Sequence, residues 1–545
     1  MFRLAMKYRS TRGKATNYSF EDTVLTGLAP DGGLFIPHTI PTLPEDWQTA
    51  WSALTFQQLA VEIFSLFIDP AEIPRRDLAS LVERSYATFR ATDVTPLRKI
   101  RDGFYVLELF HGPTFAFKDV ALQFLGNLFE YFLERKNKGI TEQRKLHRLT
   151  VVGATSGDTG SAAIYGLRGK KNISVFITFP RGRVSPVQEA QMTTVLDKNV
   201  HCVSVEGTFD DCQDIVKQLF NNRTFNTRHH LGAINSINWA RILAQTVYYF
   251  HSYFNLLRSL HLSAGTPAAH AIRLHYSVPT GNFGDILAGY YAHRMGLPTA
   301  RLVVATNSND ILNRFFESAS YERQAGDDGN VKETLSPAMD ILVSSNFERL
   351  LWYLARETEV DGGSEMIGEE TSLDERLAGH ASKVVDGWMR DLKEKGVFRV
   401  KPEVVAKARE IFDSARVSDE ETLETIRRYH NPPNPSQTSY ILDPHTAVGV
   451  EAAERISARH HLVGYPTGQD IFVSLATAHP AKFASAVEVA LAEQPGFQFE
   501  DVLPPEFVGL LERERRVVNV RKAEEALVIE VVERELRKEG VEWDE

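Results

Sequence analysis

The run Arg148-Leu-Thr-Val-Val-Gly-Ala-Thr-Ser-Gly-Asp-Thr-Gly-Ser161 passes from a β-branched apolar stretch to glycines and hydroxyls, then into a helical pattern through Ala162, Ala163 and Tyr165. A short apolar run bounded by glycine reads as a buried strand, and its sequel as the helix after it. The texture recurs along the chain. Strands are expected at 173–179, 200–205, 273–279, 301–306, 439–442 and 471–476, each followed by a helical pattern. Repeated βα units imply an α/β fold, a parallel sheet covered by helices, with ligands bound at the carboxyl ends of the strands.

Other regions are organised about that body. Residues 1–95 read as an amino-terminal α-rich domain, with helical patterns near 55–68 and 75–90. Residues 96–154 and 236–545 form the large domain, and 155–235 a small lobe. Between 310 and 435 the alternation lapses into charged, helical sequence ending at Asn431-Pro-Pro-Asn-Pro435, a strong breaker, and this reads as a helical insertion. The last forty residues suggest a strand or turn and a solvated helix.

Four stretches carry candidate chemistry. In the opening run, backbone N–H groups at a helix start, with the hydroxyls of Thr155, Ser156, Thr159 and Ser161, suit an anion. A tight turn needing glycine for conformation alone is the plain alternative. The spacing is neither G-x-G-x-x-G nor a phosphate loop ending in Gly-Lys-Ser/Thr. Pro279-Thr-Gly-Asn-Phe-Gly-Asp285 repeats the geometry between a strand and a helix, and its glycines let several N–H groups converge on one phosphate. Third is His111-Gly-Pro-Thr-Phe-Ala-Phe-Lys-Asp119, which places Lys118 at the mouth of a helix after the apolar run 104–110. Apolar surroundings disfavour the charged amine, and a neutral amine is what Schiff-base chemistry with an aldehyde needs. At another strand end, Leu475-Ala-Thr-Ala-His-Pro480 offers a neutral hydroxyl for a ring nitrogen, with Thr446 of Asp443-Pro-His-Thr446 as a competitor.

Composition narrows the classes. The chain has 545 residues, 43% hydrophobic, with 61 Lys and Arg against 71 Asp and Glu, a net charge of −10. That supports several domains and argues against a nucleic-acid surface. No apolar run approaches the roughly 18 residues of a membrane helix. Two cysteines, Cys202 and Cys212, point to a reducing compartment. The basic start is short for a transit peptide, so a cytoplasmic location is expected. No metal is expected.

In order, HGPTFAFKD, GATSGDTGSA, PTGNFGD, DPHTAVG and ATAHPAKF closely resemble the threonine synthases of fungi and bacteria. YRSTRG at 8–13, APDGGLFIP at 29–37, INSINWARILAQ at 234–245 and SSNFER at 344–349 match as well. The resemblance covers nearly the whole chain, and is weakest at 350–435 and in the tail. It implies fold type II of the pyridoxal-phosphate (PLP) enzymes; the compact run of βα units at 155–235 is expected to form a small mobile lobe that closes on substrate. Lys118 would then hold PLP as a Schiff base, and Gly281, Asn282, Phe283, Gly284 and Asp285 would cup its phosphate. Thr477 would face the pyridine nitrogen. Thr155, Ser156, Asp158, Thr159 and Ser161 would take the substrate's amino-acid end, and Arg183, Ser185, Asn238 and Arg241 its phosphate. The implied reaction turns O-phospho-L-homoserine and water into L-threonine and phosphate, the last step of threonine biosynthesis. A serine/threonine dehydratase or phospho-amine lyase needs the same lysine and cup but no second phosphate site. A non-catalytic binder and a nucleotide-binding dehydrogenase fit the motifs less well. No amino-terminal effector domain is expected, and the protein would be a monomer or a homodimer.

Overall fold

The computed structural model describes residues 6–323, 331–361, 372–434, 437–462 and 470–543. Its frame is a six-stranded sheet in the order Phe412–Arg416, Arg301–Thr306, Arg273–Pro279, Asp470–Ala476, Phe104–Glu108, Leu97–Arg101. All pairings are parallel except the last, which is antiparallel. A second sheet runs Val518–Val520, Val200–Val205, Ile173–Pro180, Leu149–Ala154, Leu231–Gly232, parallel throughout. Its strands Ile173–Pro180 and Val200–Val205 are buried on both faces, as expected where helices cover a parallel sheet.

Two helices lie at the centre, Lys118–Lys136 and Trp239–Ser259, and they pack on one another. Neither has a solvated face over most of its length: in the second, residues 239–254 are all buried. Such all-round burial marks an interior helix. Phe124 stacks on Phe64 of the amino-terminal region with centroids 4.5 Å apart, so that region shares the main core. Truncating Phe124 to alanine would cost about 3–5 kcal/mol.

Helix Asp158–Leu167 crosses Lys118–Lys136 at backbone contact. A Cβ on Gly126 would lie 2.0 Å from the Gly166 carbonyl oxygen, and one on Gly166 2.5 Å from that of Leu122. Only glycine fits there. This crossing couples the first helix of the small sheet to the helix that begins with Lys118.

Several expectations are corrected. Residues 439–442 form no strand: Tyr440 N–H donates to the Tyr429 carbonyl, and Ser439 Oγ to that of His430, so the run is tied to a helix end. The sheet edge is taken instead by Phe412–Arg416, inside the supposed helical insertion, whose described part also holds the ribbon Ser320–Glu322 with Val397–Arg399. A small-lobe boundary at 155 divides the second sheet, since Leu149–Ala154 and Val518–Val520 belong to it. Helix Glu525–Glu539 is not merely solvated; Val528, Val531, Val532 and Leu536 are buried against that sheet. Residues 1–5 of the basic start and Pro435 of the breaker lie outside the described residues.

Candidate active site

The carboxyl ends of the strands finishing at Glu108, Ala154, Pro279 and Ala476 lead into the four stretches singled out above. The 109–117 loop returns to the sheet. Leu109 N–H donates to the Ala476 carbonyl (3.0 Å) and Phe117 N–H to that of Thr477 (2.8 Å), fixing Lys118 beside Thr477. Within the loop, the Asp119 carboxylate accepts from Thr114 N–H (2.7 Å) and Oγ1 (2.8 Å); burial pushes its pKa up to about 6.

Lys118 is 8% exposed, and its Nζ lies 3.6 Å from Asp158 Oδ2. Burial draws the amine below the usual lysine range. Asp158 opposes this, while the charges of Lys482 and Arg241 reinforce it. Being the first residue of its helix acts in the same sense, since the positive end of the macrodipole disfavours an ammonium. Asp158 is held from its other side by Lys482 Nζ (2.7 Å) and Gln188 Nε2 (2.8 Å), both on Oδ1. Burial alone would raise that carboxyl, but the two lysines take it well below the usual range.

The turn around Asp158 is largely closed on itself. Thr155 Oγ1 accepts from Gly157 and Gly160 N–H, and Ser161 Oγ donates to the Asp158 carbonyl. Both hydroxyls thus brace the turn, the Thr155 O–H remaining available as a donor. Ser156 is exposed and Thr159 half-buried at the rim.

The 281–284 turn is open. Helix Gly284–Met295 starts with no side-chain cap, and its N-cap residue, Phe283, has φ of +62°, in the left-handed region. Its ring packs on Phe347 and Phe412, so Phe283 offers backbone alone. A Cβ on Gly281 would sit 2.9 Å from the Ala338 carbonyl oxygen. Ser344 Oγ donates to the Gly281 carbonyl (2.6 Å), Ser345 Oγ to Asn282 Oδ1 (3.1 Å), and Asn346 N and Nδ2 to the Asn282 carbonyl. The Asp285 carboxylate accepts from Tyr248 (2.5 Å) and Tyr249 (3.0 Å) and is turned into the core, so Asp285 can serve the cup only through its backbone. Burial pushes it up to about 7.

The four expected substrate-phosphate ligands separate. Arg241, near the start of Trp239–Ser259, is 4% exposed, and one of its terminal nitrogens has no partner; burial lowers it to about 10. Asn238 is consumed as a cap: Oδ1 accepts from Ala240 N–H and Nδ2 donates to the Val24 carbonyl. Ser185 caps helix Pro186–Thr193. Arg183 is exposed, its charge bearing on Asp211. Thr477 is buried at its strand end, its N–H donating to Thr446 Oγ1. The competing Thr446 hydroxyl is engaged with Asp443, and His445 beside it accepts the Ala338 N–H (3.1 Å). Sequence reasoning passed over Lys482, although it stands in the quoted ATAHPAKF. Its only signal was a lysine amid small apolar residues.

A buried amine with its charge disfavoured, an uncapped glycine-lined helix start and a hydroxyl at a third strand end suit an aldehyde cofactor bearing a phosphate. They define an α/β enzyme dependent on pyridoxal phosphate. Residues 88–370 match the family model described as pyridoxal-phosphate dependent enzyme, 7–86 that of the threonine synthase N terminus, and 446–532 that of the threonine synthase C-terminal region. A threonine synthase of Schizosaccharomyces pombe is 53% identical over 98% of this chain and 99% of its own. The crystal structure of threonine synthase from yeast superposes with a TM-score of 0.87 at 51% identity, covering 97% of this chain and 99% of that one. A PLP-bound threonine synthase from Brucella melitensis gives 0.81 at 40% identity, covering 98% and 100%. The chain belongs to the threonine synthase family.

Proposed function

We propose that this enzyme converts O-phospho-L-homoserine and water into L-threonine and phosphate. The observation that carries the reading is the pair of buried basic side chains at the starts of the two central helices. Lys118 is built for amine chemistry, and Arg241 keeps a guanidinium nitrogen unpaired for an anion. A phosphorylated amino acid supplies both partners.

Pyridoxal phosphate, when bound, supplies the electron sink. Lys118 would hold it, with the N–H groups of 281–284 around its phosphate and Thr477 toward its ring nitrogen. A neutral hydroxyl there leaves the nitrogen unprotonated, which favours elimination over transamination. Released by the substrate's amino group, Lys118 Nζ takes the proton from Cα; tethered beside Cβ and Cγ, it serves the later transfers too. Loss of a Cβ proton supplies the electron pair that expels phosphate, and Arg241 holds the γ-phosphate and stabilises its charge as the Cγ–O bond breaks. Cγ then takes a proton, water adds its hydroxyl to Cβ, and Cα is reprotonated. Arg183 and the rim residues Ser156 and Thr159 reach the substrate only if the lobe carrying the second sheet closes. That closure is part of the proposal, as is the fold type II assignment. Cys202 and Cys212 are free and buried, burial raising them to about 12 and about 11; this supports the cytoplasm as the working compartment. Among the described residues no helix is long and apolar enough to cross a membrane.

The test is to incubate PLP-loaded protein with O-phospho-L-homoserine and identify the carbon product by mass. Threonine with equimolar phosphate is expected. 2-Oxobutyrate with phosphate would replace this reading with that of a lyase of the same fold, and no product from loaded enzyme would reject the substrate.

A further inference from the structure

Lys482 has no part in the scheme above, yet it is buried at 2% exposure against Asp158. Its Nζ makes two contacts, Asp158 Oδ1 at 2.7 Å and the Thr114 carbonyl at 2.8 Å. Thr114 belongs to the Lys118 loop, and Asp158 is the carboxylate beside Lys118. Thus Lys482 bridges the two supports of the reactive amine. Asp158 has one oxygen toward each lysine, with Gln188 added on the Lys482 side.

This division has a consequence. A single carboxylate 3.6 Å from a buried lysine would favour the ammonium, which has no lone pair to attack a carbonyl. A second cation, closer to the same carboxylate, neutralises most of that attraction and repels the first. It also leaves Asp158 compensated whenever Lys118 is uncharged, which a buried carboxylate requires. Leu491 and the other buried residues of helix Ala484–Leu491 anchor the segment that follows Lys482.

We infer that Lys482 is a positioning residue that holds Asp158 away from full ion pairing with Lys118 and so keeps the Lys118 amine nucleophilic near neutral pH. This rests on Lys118 being the cofactor's attachment point. The enzyme is stripped of cofactor, and the rate at which it regains the coloured PLP complex is measured across pH; only the neutral amine can attack the aldehyde. Lys482→Met should move the half-point of that profile up by about one pH unit or more, the size expected when a neighbouring charge is removed. Lys482→Arg, which restores the cation, should return it to near the wild-type value. A Lys482→Met half-point equal to wild type overturns the inference. Should that variant not fold, Lys482→Gln takes its place, with the half-point again expected to move up; an unmoved one is equally fatal. A Lys118→Ala control that still forms the coloured complex would instead overturn the attachment point, separating the two failures.

Discussion

The turns at 153–161 and 279–285 look alike in sequence, each a glycine-punctuated link from a parallel strand to a helix, yet they do opposite things. In the first, Thr155 and Ser161 bind the turn's own backbone, and the residue that faces the centre is the acid Asp158. In the second, the helix start is uncapped, the acid Asp285 faces the core, and the backbone is braced from behind by Ser344, Ser345 and Asn346. A hydroxyl-rich turn can satisfy itself and contribute charge. A turn poor in hydroxyls needs outside bracing, and it keeps its N–H groups for a ligand.

The contrast can be broken most forcefully at Gly281. In Gly281→Val the new side chain meets the backbone of 338–339, and cofactor affinity should fall about 100-fold, some 2.7 kcal/mol, by absorbance titration of stripped protein. Equal affinity would show that the cup is not at this turn. Thr155→Val should act on stability instead. Two buried N–H groups lose their acceptor, costing about 2 kcal/mol in a thermal melt of stripped protein, with cofactor affinity within threefold of wild type. A large affinity loss would mean that the first turn also binds the cofactor. Ser344→Ala removes one brace from the cup and should weaken cofactor binding about fivefold, some 1 kcal/mol. The mildest test is Asp285→Asn. Because burial raises the Asp285 pKa from about 3.8 to about 7, its stabilising contribution is fully present below the lower value and is lost as pH rises through the upper one. The amide keeps an acceptor for both tyrosines, so the loss of stability between about pH 4 and pH 7 should flatten; an unchanged slope would place that titration elsewhere.

Much of the frame was legible because it rests on local pattern. The strand candidates at 148–153, 173–179, 200–205 and 273–279 fall on strands, and Lys118 opens a helix as expected. The strand at 412–416 escaped notice because Phe-Asp-Ser-Ala-Arg is an edge, half-exposed and polar, without the apolar run of an interior strand. The site ligands were harder. Asn238, Ser185 and Thr155 have the chemistry of phosphate ligands, but that is also the chemistry of helix caps and turn bonds, and here the backbone takes it. Arg241 and Arg183 were equal candidates; burial distinguishes them.

By itself, then, the sequence determined the alternation of strand and helix, the places where turns open onto strand ends, and the lysine at the mouth of one helix, since each depends on neighbours a few residues apart. Only the tertiary structure decided which donors remain for a ligand, that Asp285 faces inward, and that Lys482 shares Asp158 with Lys118. Those outcomes depend on desolvation and on charges brought together from distant segments, and neither quantity exists until the chain has packed.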